Sequence, residues 1–384
     1  MKIVVAADSF KGSLSSAELA EAVEKGVHNV YPQAEVIKIP VADGGEGTVE
    51  ALVDGTSGVY RTIKANGPLM SPVTALYGIT GDGKTAVIEM ASASGLPLVP
   101  TDKRNPMKTT TYGTGELIKD ALENGCREFL IGIGGSATND CGMGMMQALG
   151  MKFFDDKGNE VGIGGESLNK AESIDDSQLI AGIKEARFLI ACDVDNPLYG
   201  ENGAAHVYGR QKGADDQMVL ELDKGLKHFN SVVEKKYGFD MNALSGAGAA
   251  GGLGGAFAAF LKGVLKPGID IILDKTGLAE KMKGADFVIT GEGRIDFQSV
   301  MGKTPVGVSR MAAKQNIPVI AIAGAVTDDS GVVHDHGINS LFSIMNYPIS
   351  LEDAMEPDRS KIFVEKNIEE IFRLIKTCQN KFSL

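Results

Sequence analysis

A chain of 384 residues with 50 acidic and 38 basic side chains carries a formal net charge of -12, and with no basic run to offset it a nucleic-acid partner is not expected. Four cysteines without C-x-x-C spacing, five scattered histidines, no apolar run of spanning length and an N-terminus unlike a signal peptide argue against a zinc module and a membrane partner; the expectation is a reduced, cytoplasmic protein. The length points to two domains, and 49 glycines, nearly twice the usual ~7%, point to many tight loops.

Apolar runs of strand length closed by glycine or aspartate recur at 2–7, 36–41, 129–133, 188–191, 286–290, 318–323 and 340–345, which suits strands buried on both faces. Helical periodicity over 15–30, 114–124, 304–315 and 351–378 fills gaps between them, so the fold class is α/β. The stretch 61–98 breaks the rhythm: Gly-Pro, Ser-Pro and GDGK turns separate short runs with no helix between, which predicts antiparallel strands. With the middle of the chain as an insertion, the runs around Ile3, Val36, Phe287, Val319 and Leu341 complete one doubly wound parallel sheet formed by both chain ends. The expected domains are 1–60 with 285–384, and an inserted mixed α/β domain over 61–284.

Ligands of such a sheet bind beyond the carboxyl ends of its strands, so the loops after the apolar runs carry the chemistry. After the first run come Asp8, Ser9, Lys11 and Ser13: the lysine suits an anion, and the serines suit either that anion or a helix cap. After the second, DGGEGT sets Asp43 and Glu46 among glycines, a pattern for Mg²⁺ held through water or for a solvated turn capped by Thr48. GGSATND places Ser136, Thr138, Asn139 and Asp140 before a helical stretch, as an anion cradle or a tight turn with its cap. CDVDNPL puts Asp193 and Asp195 at a strand end, where a carboxylate serves as general base or metal ligand, although Asn196-Pro197 also simply ends a strand.

Gly246, Gly248 and Gly251, followed by Gly252, fit G-x-G-x-x-G, but no clear strand precedes them, so a phosphate cradle and a closely packed helix start both stay open. In GEGRID, Gly291 and Gly293 flank Glu292, with Arg294 and Asp296 beyond; the carboxylates suit Mg²⁺, and Arg294 or the later Lys303 suits phosphate. The Gly302-Lys303-Thr304 triplet is not a P-loop, because Phe297 stands where the pattern needs glycine. His334 and His336 read as loop histidines.

DSFKGSLSS, PVADGGEGT, GIGGSATND, CDVDNPL, GAGAAGGLG, TGEGRID and GKTPVGV, in that order, resemble the bacterial glycerate kinase family over nearly the whole chain. The resemblance implies a flavodoxin-like domain, a second domain likened to restriction enzymes, and transfer of the γ-phosphoryl group of ATP to D-glycerate. It leans to the 2-hydroxyl, giving 2-phosphoglycerate, with the 3-hydroxyl as the alternative. Under it, Asp193 is expected as the base with Asp8 and Asp140, also at strand ends, as the competing carboxylates, and Lys11 holds substrate carboxylate or transferring phosphate. Ser9, Ser136, Thr138, Asn139 and Asp140 are expected at the substrate; Gly246, Gly248, Gly251, Gly252, Gly291, Gly293 and Lys303 at the nucleotide; Asp43, Glu46, Glu292 and Asp296 around Mg²⁺. Cys141 departs from the family's usual Asn-Asp-Gly-Gly, so that turn is expected to differ in shape. An aspartyl-nucleophile phosphatase using Asp193-x-Asp195 and a non-enzymatic nucleotide or organic-acid sensor are the competing readings.

Overall fold

The computed structural model describes residues 1–300 and 302–382. Among them the strands, in chain order, are β1 (Lys2–Val5), β2 (Glu35–Lys38), β3 (Val59–Asn66), β4 (Pro72–Ile79), β5 (Thr85–Glu89), β6 (Glu128–Gly132), β7 (Lys152–Phe154), β8 (Ser173–Asp175), β9 (Arg187–Ala191), β10 (Val264–Lys266), β11 (Phe287–Ile295), β12 (Val319–Val326) and β13 (Ser340–Ser343). The chain folds as two compact units. The first comprises Met1–Asp43, Glu50–Gly55 and the described chain from Ile269 onward; the second comprises Gly44–Val49 and Thr56–Gly268.

The sheet of the first unit runs β13-β12-β11-β1-β2, with every neighbouring pair parallel. Numbered within the unit this is the order 2-1-3-4-5 read backwards, the flavodoxin-like arrangement, whose switch point lies between β1 and β11. The α/β class and the parallel sheet made from both chain ends are therefore as the apolar runs require. In β1 the branched side chains Ile3, Val4 and Val5 are all fully buried, as suits a central strand covered on both faces.

The helix Ser16–His28 starts at a capping box: Ser15 Oγ accepts the Glu18 N–H at 3.2 Å, and Glu18 Oε2 accepts the Ser15 N–H at 3.0 Å. Its buried Leu19, Ala20, Val23 and Val27 join the core that holds Phe363, Ile368 and Phe372 of the helix Pro357–Phe382. The two helices meet at Gly26, where an added Cβ would stand 2.6 Å from the Glu365 carbonyl oxygen. Gly26→Ala is accordingly expected to destabilise the protein by about 1–3 kcal/mol through overpacking, read as a lower thermal midpoint. An unchanged midpoint would show that the two helices part without cost.

The periodicity over 351–378 suggests one helix, but the structure has two, Leu351–Ala354 and Pro357–Phe382. Proline fits a first helical turn and not an interior, so Pro357 opens the second helix.

In the second unit the six-stranded sheet runs β10-β9-β6-β5-β4-β3. The pairs from β10 to β5 are parallel, and β5-β4-β3 are antiparallel, joined by the turns rich in glycine, proline and aspartate. Phe129 and Phe188 stack across β6 and β9 with centroids 4.7 Å apart in the core of this unit. The ribbon β7-β8 and the edge strand β10 are three residues each, too short to stand out as apolar runs. Among the described residues no helix is long and apolar enough to cross a membrane.

Candidate active site

The first unit holds a cavity of about 540 Å³ at the carboxyl ends of its strands. Its wall takes Asp8 from beyond β1, Glu292 and Gly293 from the end of β11, Gly324 from the end of β12 and Met345 from beyond β13. It therefore opens at the switch point between β1 and β11. Lys11, Asp43, Arg294 and Lys303 also line it.

Asp8 is 4% exposed. Its Oδ1 accepts the Ser9 N–H at 2.6 Å, and its Oδ2 accepts the Thr304 hydroxyl at 3.2 Å. Burial, with the charge of Asp43 second, pushes the Asp8 carboxyl up to about 7 against the opposing pull of these bonds and of Lys11. A carboxyl poised there exchanges a proton near neutral pH, which is what a general base needs. Glu292 is also buried and raised above the ordinary carboxylate range, first by burial and then by Asp43 and Asp296. Ser299 Oγ donates to it at 2.5 Å, and Lys303 Nζ lies 3.7 Å away.

Asp43 raises both the Asp8 and the Glu292 carboxyls, and three carboxyls lining one cavity leave negative charge for a cation to balance. Of the four carboxylates expected around Mg²⁺, Asp43 and Glu292 line this cavity and Glu46 and Asp296 do not. Asp296 instead accepts the Gln298 N–H at 2.9 Å and pairs with Arg294 at 3.3 Å, and Glu46 is exposed in the second unit. Among the described residues no three His, Cys, Asp or Glu side chains form a closed metal cluster. The donor set thus fits Mg²⁺ held by one or two carboxylates together with substrate phosphates, and not an all-protein cage.

In the second unit the GGSATND loop follows β6, but Thr138, Asn139 and Asp140 are fully buried, Ser136 is 8% exposed, and only Gly134 and Gly135 stand exposed. An open cradle of all these side chains is therefore not what the structure has. Asp140 Oδ2 accepts the N–H and hydroxyl of Thr111 at 2.8 and 3.0 Å and the Thr110 hydroxyl at 3.1 Å, fastening the loop to the start of the helix Tyr112–Glu123. Burial raises its carboxyl above the usual range against those bonds.

Lys212, which the motifs do not single out, completes the loop. Only 2% exposed, it donates from Nζ to Ser136 Oγ and to the Thr138 carbonyl, each at 2.7 Å. Burial pushes its ammonium down to about 7, with the charge of Asp140 opposing. Thr138 Oγ1, both polar side-chain atoms of Asn139 and Asp140 Oδ1 have no protein partner, so the interior of this loop holds hydrogen-bonding capacity to spare.

The glycine run has a packing reason. Gly246, Gly248, Gly251 and Gly252 are buried, and no helix starts cleanly on them: Ala250, Gly251 and Gly252 are left-handed. A Cβ on Gly251 would stand 2.1 Å from the Thr138 carbonyl oxygen, and one on Gly252 2.9 Å from Cys141 Cα. Cys141, itself left-handed at φ 47°, donates its N–H to the Gly251 carbonyl at 3.0 Å. The departure at that position is thus absorbed by close packing. Asp193 and Asp195 stand exposed beyond β9, and Asp193 Oδ1 accepts the Gly268 N–H at 3.0 Å. The burial that tunes Asp8 is missing at Asp193.

A doubly wound sheet with a charged crevice at its switch point defines an α/β protein built to handle an anionic small molecule. Residues 3–376 match the model of the glycerate kinase family. The chain is 53% identical over 354 residues to "Glycerate 2-kinase" of Escherichia coli K12, spanning 92% of this chain and 93% of that one. It is 51% identical over 382 residues to "Glycerate kinase" of Bacillus subtilis 168, covering both chains fully. A crystal structure of a glycerate kinase 2 candidate from Salmonella typhimurium LT2 superposes with a TM-score of 0.92 at 44% identity, over 99% of each chain. The chain belongs to the glycerate kinase family.

Proposed function

We propose that the protein is an ATP-dependent kinase of D-glycerate that phosphorylates the 2-hydroxyl. The substrate is supported by half-identity with relatives named for it. The chemistry is carried by one observation: Asp8, a buried carboxyl held up to about 7 at the switch point, with Lys11 and Lys303 in the same cavity. Asp8 orients the 2-hydroxyl and takes its proton as the oxygen bonds to the γ-phosphorus; the bond to the β–γ bridging oxygen breaks and ADP leaves. Lys11 and Lys303 balance charge on the transferring group, and Gly293 keeps the crevice wall beside Glu292 free of a side chain. Mg²⁺, when bound with the nucleotide, would be held by Asp43 and Glu292 and would neutralise phosphate charge.

In the second unit, Ser136 and the exposed Gly134–Gly135 backbone support a role at the glycerate carboxylate, with Thr138, Asn139 and Asp140 shaping the loop from within. Asp193, Glu46 and Asp296 are not needed by this reading. Free cysteines throughout suit a reducing compartment, which supports the cytoplasm.

Phosphorus NMR of the product tests the assignment. The expected spectrum is that of 2-phosphoglycerate, formed with ADP only when glycerate is present. Formation of 3-phosphoglycerate would overturn the choice of hydroxyl, and release of inorganic phosphate from phosphoesters without ATP would restore the phosphatase.

A further inference from the structure

The cavity of the first unit has two kinds of wall. The charged one is that of Asp8, Lys11, Asp43, Glu292 and Lys303; the other, from the segment after β13, is Ile344, Met345, Ile349, Leu351 and Met355. Glycerate carries a hydroxyl or carboxylate on every carbon and has no apolar surface to set against five aliphatic and thioether side chains. A heteroaromatic base has two such faces, and methionine sulfur packs well against aromatic rings. Leu351 is 75% exposed and Met355 36%, so this wall presents large apolar side chains that a ring would cover. Two further hydroxyls of the cavity are already engaged: Ser13 Oγ lies 2.6 Å from Ser360 Oγ, which donates to the Ala354 carbonyl at 2.7 Å.

We infer that the wall formed by Ile344, Met345, Ile349, Leu351 and Met355 seats the base of the nucleotide, with the polyphosphate running toward Lys11 and Lys303. The inference rests on the kinase reading and adds a second property. None of these five side chains donates or accepts a strong hydrogen bond, so the base is held by its faces and its edge is weakly read. GTP and ITP then replace ATP with a kcat/KM within about tenfold, because an apolar seat discriminates poorly between rings of one shape.

Leu351→Glu and Met355→Glu, both at exposed positions, test the seat in the full-length protein. Each is expected to raise the ATP KM at least about tenfold, equivalent to about 1.4 kcal/mol, and to weaken ADP binding by calorimetry to the same extent. The glycerate KM at saturating ATP is expected to move less than about twofold in both. A raised glycerate KM with unchanged ADP affinity would give the wall to glycerate and overturn the inference. Unchanged values for both ligands would overturn it too, as would a wild-type preference for ATP over GTP and ITP above about a thousandfold. If the wild type transfers no phosphoryl group to glycerate, the kinase reading falls, and the ADP titrations still decide whether this wall holds a base.

Discussion

Asp8→Asn is expected to lower kcat about 10²–10⁴-fold and, above neutral pH, to make the protein more stable to heat. The first effect follows from removing the proton acceptor. The second follows from linkage. Asp8 titrates at the ordinary carboxylate value of 3.8 when unfolded and at about 7 when folded, so between those values the folded chain holds the extra proton. Stability therefore falls as pH rises through that window, and the whole cost of burying the charge stands above about pH 7. Asparagine carries no charge to bury, so the variant gains about 1–4 kcal/mol at pH 8 and nothing below about pH 4. In the wild type, kcat/KM should rise through about pH 7 as Asp8 loses its proton, and this limb should vanish from the residual activity of the variant. Near-full turnover, or a stability difference that does not grow from pH 4 to pH 8, would remove Asp8 from the role.

The second large effect belongs to Lys212, which acts through the loop it holds. Methionine keeps the stem and drops both bonds, leaving Ser136 Oγ and the Thr138 carbonyl without their donor. Lys212→Met is expected to destabilise the protein by about 1–3 kcal/mol and to raise the glycerate KM at least about tenfold, with little change in the ATP KM. The sign of the pH dependence is opposite to that at Asp8. The lysine titrates from 10.5 when unfolded to about 7 when folded, so the unfolded chain holds the extra proton between those values and wild-type stability rises with pH across them. The variant lacks that rise, so its deficit should be larger at pH 10 than at pH 7. Arginine, bulkier and never neutral, should not restore activity. A deficit that shrinks toward pH 10, or an ATP KM that rises in place of the glycerate KM, would show that the amine does something else.

Most strands of the two larger sheets were legible, the short edge strand β10 excepted, because parallel strands buried on both faces read as unbroken apolar runs and the turns between β3, β4 and β5 mark antiparallel neighbours. The residues that follow the runs point to strand ends. That logic finds Asp8, Asp43, Glu292 and Lys303. It fails where a residue's function depends on depth, since GGSATND reads the same whether Asp140 faces solvent or ties the loop to Thr110 and Thr111. It also fails for glycines. Gly251 and Gly252 match a phosphate cradle in spacing, yet what they exclude is a Cβ against Thr138 and Cys141, and nothing local encodes that neighbour. Lys212 lies 74 residues from Thr138 in sequence, so only folding reveals the pairing. Between Asp8 and Asp193 the sequence offers equal strand-end positions, and burial separates them.

Because the first sheet joins β1 to β11 and the helix Ser16–His28 packs with Pro357–Phe382, order of synthesis matters. A ribosome delivers the amino end first, and β1 must wait for more than half the protein before its neighbour β11 emerges. The second unit, nearly all one continuous stretch from Thr56 to Gly268, has its strands in hand earlier. Asp8 is thus made long before Thr304, whose hydroxyl bonds its carboxyl, so the full set of contacts that tunes it is absent from a nascent chain that stops short of that residue.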